Sequence, residues 1–122
     1  MQEIPEYILE KLDGQARWRV CIDGKHVGSI WLDLDDTEYL EAPSLHSVAE
    51  EKRYQEQGVE RAVIKDTVKY AYCNLPYQAI YTRYETENQS LEALYKSLGF
   101  ESDGKPYEDD EGVEWQNAKV LL

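Results

Sequence analysis

Two apolar periods alternate along this chain and divide it into elements. Ile4, Ile8 (with Tyr7 beside it) and Leu12 recur at helical spacing, which predicts one short amphipathic helix ending at Asp13-Gly14. The period then drops to two. Trp18, Val20 and Ile22 alternate with Arg17, Arg19 and Cys21; Asp23-Gly24 supplies a tight turn, and Val27 to Leu34 runs on with Ile30, Leu32 and Leu34 on one side. That is the pattern of an antiparallel hairpin. The acidic stretch Asp33 to Glu41, closed by Pro43, reads as a loop before a third strand, Ser44 to Ala49. From Gly58 to Tyr72 the helical period returns over the longest run: Val59, Ala62, Val63, Thr67, Tyr70 and Ala71 form one face, and Lys65, Asp66 and Lys69 point outward.

Asn74 and Pro76 break that helix, and Ala79 to Tyr84 is β-branched and aromatic enough for a strand. A second helix follows, with Leu91, Leu94, Tyr95 and Leu98 at i, i+3, i+4 and i+7, Asn88 as its N-cap and Gly99 in the left-handed position that stops it. Turn formers from Ser102 to Gly112 lead to a final strand around Val113 to Leu121, in an antiparallel hairpin. Strand, helix, strand, helix implies a parallel crossover. The expected fold class is α/β (α+β): a single domain, residues 1–122, with a mixed sheet, an antiparallel front, one parallel crossover in the middle and helices on both faces.

Charge narrows the partners. Thirteen basic against twenty-five acidic side chains leave a net charge of −12, a surface that repels nucleic acid and anionic membranes and attracts cations. No apolar run reaches bilayer length, and MQEIPEYILEKLDG has neither a basic start nor a signal-type core, so a cytoplasmic protein is expected. Cys21 and Cys73 lack disulfide or zinc spacing and are expected to be small core or semi-buried residues. His26, just after the hairpin turn, is expected in solvent. Asp33, Asp35, Asp36 and Glu38 lack the glycine and distal glutamate of a calcium loop, so no metal site is expected.

Candidate chemistry sits in two places. Leu45 to Glu60, LHSVAEEKRYQEQGVE, leads from a strand into the N-terminus of the longest helix, where unsatisfied amides and the helix dipole suit an anion such as a diphosphate. The Tyr95 phenol, protonated at neutral pH, is able to serve as a general acid, although it equally fills the apolar stripe of its helix. His46 and Glu50, on or beside the third strand, are candidate general bases.

The run NQSLEALYKSLGF, Asn88 to Phe100, resembles the last helix of the GNAT superfamily of acyl-CoA-dependent N-acyltransferases, where an asparagine opens the helix, a tyrosine sits on it and LGF closes it. Gln55-Glu56-Gln57-Gly58-Val59-Glu60 resembles that family's pyrophosphate pattern Q/R-x-x-G-x-G/A, with the middle glycine present and Glu60 in place of the last small residue. The resemblance runs from about Trp18 to the C-terminus. It implies a GNAT-like sheet whose central parallel strands splay apart, and acetyl-CoA or coenzyme A as cofactor. Gln55, Gln57, Gly58, Val59, Glu60 and Arg61 would lie at the pyrophosphate. Backbone amides of Val48, Ala49 and Glu50 would hold the pantetheine arm and thioester carbonyl, with Asn88 and Tyr95 beside them. Tyr95 would be the acid and Glu50 or His46 the base.

The implied activity is transfer of an acetyl group to a primary amine by direct attack, and the acidic surface favours a cationic acceptor. Glu56 and Glu60 set carboxylates where phosphates are expected, which motivates an alternative: a noncatalytic acyl-CoA-binding or protein-interaction module. Relatives commonly carry a strand and two helices that wall the acceptor pocket, and the segment before the first hairpin here is short. An open pocket, or one completed in a homodimer, is expected.

Overall fold

The hairpin forms around Asp23 and Gly24, both at positive φ (52° and 77°), the conformation in which a tight turn matches the twist of its flanking strands. In the computed structural model, which describes residues 4–12, 16–34, 42–56 and 58–122, it joins β2 (Arg17–Ile22) to β3 (Lys25–Asp33). The other elements are β1 (Ile8–Lys11), β4 (Ser44–Ala49), α1 (Arg53–Glu56), α2 (Val59–Asn74), β5 (Ala79–Glu85), α3 (Gln89–Ser97), β6 (Glu101–Ser102), β7 (Tyr107–Glu108) and β8 (Glu114–Leu121). The sheet order is β1-β2-β3-β4-β5-β8-β6, with β7 also on β8. Every pairing is antiparallel except β4 with β5, and that pair meets at a single bridge, Ser44 with Tyr81. Beyond it the two strands diverge, with α2 as the crossover between them.

Cross-strand register assigns the two faces. Trp18 and Val20 lie opposite Ile30 and Gly28, and Leu32 opposite Leu45. Ile80, Thr82 and Tyr84 lie opposite Val120, Ala118 and Gln116. These residues are buried, and the helices cover them: Tyr70 of α2 packs edge-on against Trp18, Tyr54 of α1 lies over Gly28, and Tyr95 of α3 stacks on Tyr84. Arg61 Nε, on α2, donates to Ser97 Oγ on α3 at 3.2 Å, so the two longer helices are neighbours. Among the described residues all helices therefore cover one face, not both as expected. The opposite face carries Trp31, His46, Tyr81, Arg83, Trp115 and Lys119, the other parity of the same strands.

The N-terminal segment also departs from expectation, since Ile8–Lys11 is an edge strand rather than part of a helix. Its Leu9 pairs with Val20 and packs on the core, whereas Ile8 is 66% exposed. Tyr7 and Leu9 face inward at period two. The Ile4/Ile8/Leu12 spacing imitates a helix, but the open edge of β2 offers backbone partners that a four-residue strand can use. Other expectations shift by less. Cys21 is buried and Cys73 exposed, and His26 is half-buried with Nε2 3.1 Å from Ser29 Oγ. Leu34, just past the end of β3, is exposed. Asp35, Asp36 and Glu38 lie outside the described residues, and among those described no cluster has the makings of a metal site.

Candidate active site

The divergence of β4 from β5 opens a gap, and the elements around it supply the side chains. A crevice of about 490 Å³ runs along it, lined on one wall by Trp31, His46 and Val48 and on the other by Thr82, Arg83, Glu85 and Trp115, with Tyr95 at its floor. A second crevice of about 460 Å³ lies on the helix-covered side, between the α1–α2 junction (Gln55, Glu56, Glu60) and α3 (Ser90, Leu94). Asn88 and Leu91 line both, so the two spaces adjoin at the start of α3.

Gly58 starts α2 with φ 75°, a left-handed conformation natural to glycine, and no described side chain caps the helix. The first-turn amides of α2, from Val59 onward, therefore remain for an anion. Gln55 and Glu56 are exposed beside it; Gln57 lies outside the described residues. Arg61 is exposed and turned to α3, where it meets Ser97 rather than either crevice.

Glu60 does not project at the phosphates as its place in the motif suggests. It is only 4% exposed, and its Oε2 accepts a 2.9 Å hydrogen bond from Ser47 Oγ on β4. Ser47 Oγ is in turn 2.6 Å from the Tyr54 hydroxyl. With the serine proton on the carboxylate, Tyr54 is the donor in that second bond. Burial pushes the Glu60 carboxyl above its ordinary value, and the Ser47 bond opposes the shift. The expected repulsion is corrected accordingly: of the two glutamates, only Glu56 is an exposed charge beside the helix start.

Strand β4 presents its amides selectively. Glu50 N–H is bonded to Val27 C=O at 2.9 Å, as is Glu51 N–H at 3.1 Å. Alternation along an antiparallel ladder then turns the amides of Val48 and His46 to β3 and those of Ser47 and Ala49 toward the gap. Of the three residues expected to hold the pantetheine arm, Ala49 alone has its N–H so placed. The Glu50 side chain is exposed and lines neither crevice, whereas His46 lies in the gap, its ring stacked on Trp31 at 5.3 Å between centroids. The structure thus separates the two candidate bases.

Tyr95 occupies the inner end of the gap. Asn88 Oδ1 caps α3 by accepting from Leu91 N–H at 3.1 Å, and Gly99 at φ 93° ends it, which fixes the tyrosine's height over β5. The ring is stacked on Tyr84 and edge-on to Phe100, with 3% of the residue exposed. Burial pushes the phenol up to about 12; a hydrogen bond with Thr82 works against that rise, and the charge of Glu60 adds to it. Thr82 Oγ1 donates to Leu45 C=O at 3.1 Å across the gap, joining β4 and β5 below the crevice.

Trp31, Arg83, Glu85 and Trp115 line the gap without any sequence motif to mark them. Parity was the available signal: Arg83 and Glu85 interleave with buried Thr82 and Tyr84, and Trp31 with buried Ile30 and Leu32.

Neither a protein-family model nor a curated protein matches the sequence. Solved structures do match. A dodecameric spermidine N-acetyltransferase from Vibrio cholerae superposes with a TM-score of 0.77 at 19% identity over 89% of this chain. GNAT-family acetyltransferases from Streptococcus pneumoniae (0.74, 18%, 91%) and Bacillus anthracis (0.71, 17%, 87%) do likewise. The fold is that of the GNAT acetyltransferases, with the splayed strand pair and its crossover helix. This chain spans 66% of the Vibrio and Bacillus chains and 68% of the Streptococcus chain.

Proposed function

We propose that this chain is an N-acetyltransferase that moves an acetyl group from acetyl-CoA to a primary amine by direct attack. The observation that carries the reading is the adjacency, at the start of α3, of two crevices: one beside the glycine-started helix α2, the other at the gap in the sheet where strand amides and Tyr95 face inward. The residues fit the coenzyme. Gly58 and Val59 would turn first-turn amides to a diphosphate, Gln55 lines the crevice beside them, Asn88 stands where the two crevices adjoin, and Ala49 N–H faces the gap that an extended pantetheine arm would thread. Glu60 is turned onto Ser47 and borders that crevice as a buried carboxyl rather than an exposed charge.

Bound acetyl-CoA would supply the acetyl group as a thioester. In the balanced transfer a C–N bond would form as the thioester C–S bond breaks, and of the two protons lost by the ammonium one would end on the coenzyme sulfur. Tyr95 would donate that proton, and His46 would receive the other from the incoming ammonium, directly or through water. Ala49 N–H would hold charge that develops on the carbonyl oxygen. The net charge of −12 draws protonated amines at long range, and a cytoplasmic location and a homodimer agree with this reading.

One observation favours the second reading, a noncatalytic acyl-CoA-binding module: a phenol pushed up to about 12 is a weaker acid than free tyrosine. Titrating acetyl-CoA into the protein by calorimetry, then following thiol release with an amine present, separates the cases. Binding with amine-dependent thiol release supports the enzyme, binding alone supports the module, and no heat with either acetyl-CoA or coenzyme A rejects both.

A further inference from the structure

The gap opens on the face of the sheet that no described helix covers, and its walls there are unlike the rest of this acidic chain. On the β3–β4 side, Trp31 is held between two partners: the His46 ring stacked on it, and the Arg17 guanidinium 4.4 Å from its ring centre. On the β5–β8 side, Trp115 is held as firmly. Arg83 lies 4.3 Å over its ring, and the indole Nε1 donates to Asp109 Oδ2 at 2.8 Å. Asp109 is itself fixed by accepting the amides of Glu111 and Val113. Glu85, the cross-strand partner of Trp115, adds an exposed carboxylate to the same rim.

We propose that this slot is the acceptor subsite and that it takes a primary amine carrying a flat aromatic ring, an arylalkylamine, in preference to a linear polyamine. The inference rests on the acetyltransferase reading for its location and on the slot's own chemistry for its specificity. Two indoles already immobilised by their neighbours, Trp31 between Arg17 and His46 and Trp115 under Arg83, offer ring edges to an edge-to-face partner without further loss of side-chain freedom. A space of about 490 Å³ is within the range of small-molecule sites and suits one ring system with a short aminoalkyl arm. Among the described residues lining the slot, Glu85 is the one carboxylate and Arg83 the one guanidinium, with Arg17 beside Trp31 and Asp109 beside Trp115 just outside it. One ammonium is matched by Glu85; a further ammonium of a polyamine would meet the Arg83 guanidinium instead. An amine seated between the walls points into the gap, toward His46 and Tyr95, the groups given the proton transfers above.

Binding and turnover are measured separately for phenethylamine, n-butylamine and spermidine, on the intact chain and on Trp31→Leu and Trp115→Leu, with Trp31→Phe as a variant that keeps a ring. Phenethylamine is expected to bind about tenfold more tightly than n-butylamine, with each leucine variant losing about threefold or more of that preference and Trp31→Phe retaining most of it. Coenzyme affinity should not move in any variant. Equal binding of the three amines, a preference for spermidine, or a ring preference indifferent to both tryptophans overturns the subsite. The two readings fail differently. Ring-selective, tryptophan-dependent binding without acetyl transfer leaves the subsite standing and removes the enzyme. Acetylation that favours spermidine keeps the enzyme and removes the subsite.

Discussion

The two faces of the sheet are made by the same strands, yet they solve different problems. On the covered face, alternate residues are apolar and close-packed, and the few polar groups are tied to one another: Tyr54 to Ser47 to Glu60, and Tyr95 to Thr82 to Leu45 C=O. On the open face, aromatic rings are paired with cations, Arg17 on Trp31, Arg83 on Trp115 and Lys119 near Tyr81. The first arrangement excludes water and fixes geometry. The second holds large rings in fixed orientations while leaving them reachable, which is what a surface must do to recognise a ligand. The gap between β4 and β5 is where the two meet, so a reaction there would draw its positioning from one side and its selectivity from the other.

Substitutions on each face break that contrast in different observables. Tyr95→Phe keeps the ring against Tyr84 and Phe100 and removes the hydroxyl, so acetyl transfer should slow by about a hundredfold with little change in coenzyme affinity, measured by steady-state thiol release. Unchanged turnover would take Tyr95 out of the chemistry. Gly28→Ala acts on stability instead. A methyl group there would stand 2.7 Å from a Tyr54 ring carbon that is itself fully buried, and a loss of about 1–3 kcal/mol is expected in urea denaturation.

Glu60→Gln probes the pH dependence of the covered face. Because the folded protein holds this carboxyl above its ordinary value, stability contributed at the site is greatest below the unfolded pKa and falls as pH rises through the folded one. The glutamine variant should flatten that decline, which begins above the ordinary carboxylate value. An identical slope in both proteins would mean Glu60 titrates normally. The smallest effect belongs to the open face. The Trp115 indole first, and then the Val113 amide, hold Asp109 below the usual carboxylate range. Its support of the indole is therefore complete above the ordinary aspartate pKa and is lost only as pH falls through the lowered value. Asp109→Asn should leave global stability almost unchanged and loosen Trp115, seen as altered tryptophan fluorescence at neutral pH.

Much of the covered face is legible in the order of residues, because it depends on local periods and stops. The stripe Leu91, Leu94, Tyr95, Leu98 with Asn88 and Gly99 at its ends places the tyrosine helix, and Asp23-Gly24 places the hairpin. What escapes is set by distant partners. The segment around Ile8 becomes a strand because β2 has an edge to fill. Glu60 turns inward because Ser47, thirteen residues earlier, supplies a hydroxyl under β4. The open-face slot joins Trp31 to Trp115, residues on four different strands' span of sheet, with only strand parity to hint at their common side.

The lone rung between Ser44 and Tyr81, reinforced by Tyr81 N–H on Pro43 C=O, has a mechanical corollary. Two plates held, among the described links, by that rung and the Thr82–Leu45 side-chain bond can twist against each other without rupturing either plate's own ladder. Deuterium should accordingly enter the backbone along that seam sooner than it enters the β2–β3 or β5–β8 ladders, and a wedge filling the seam should slow its entry.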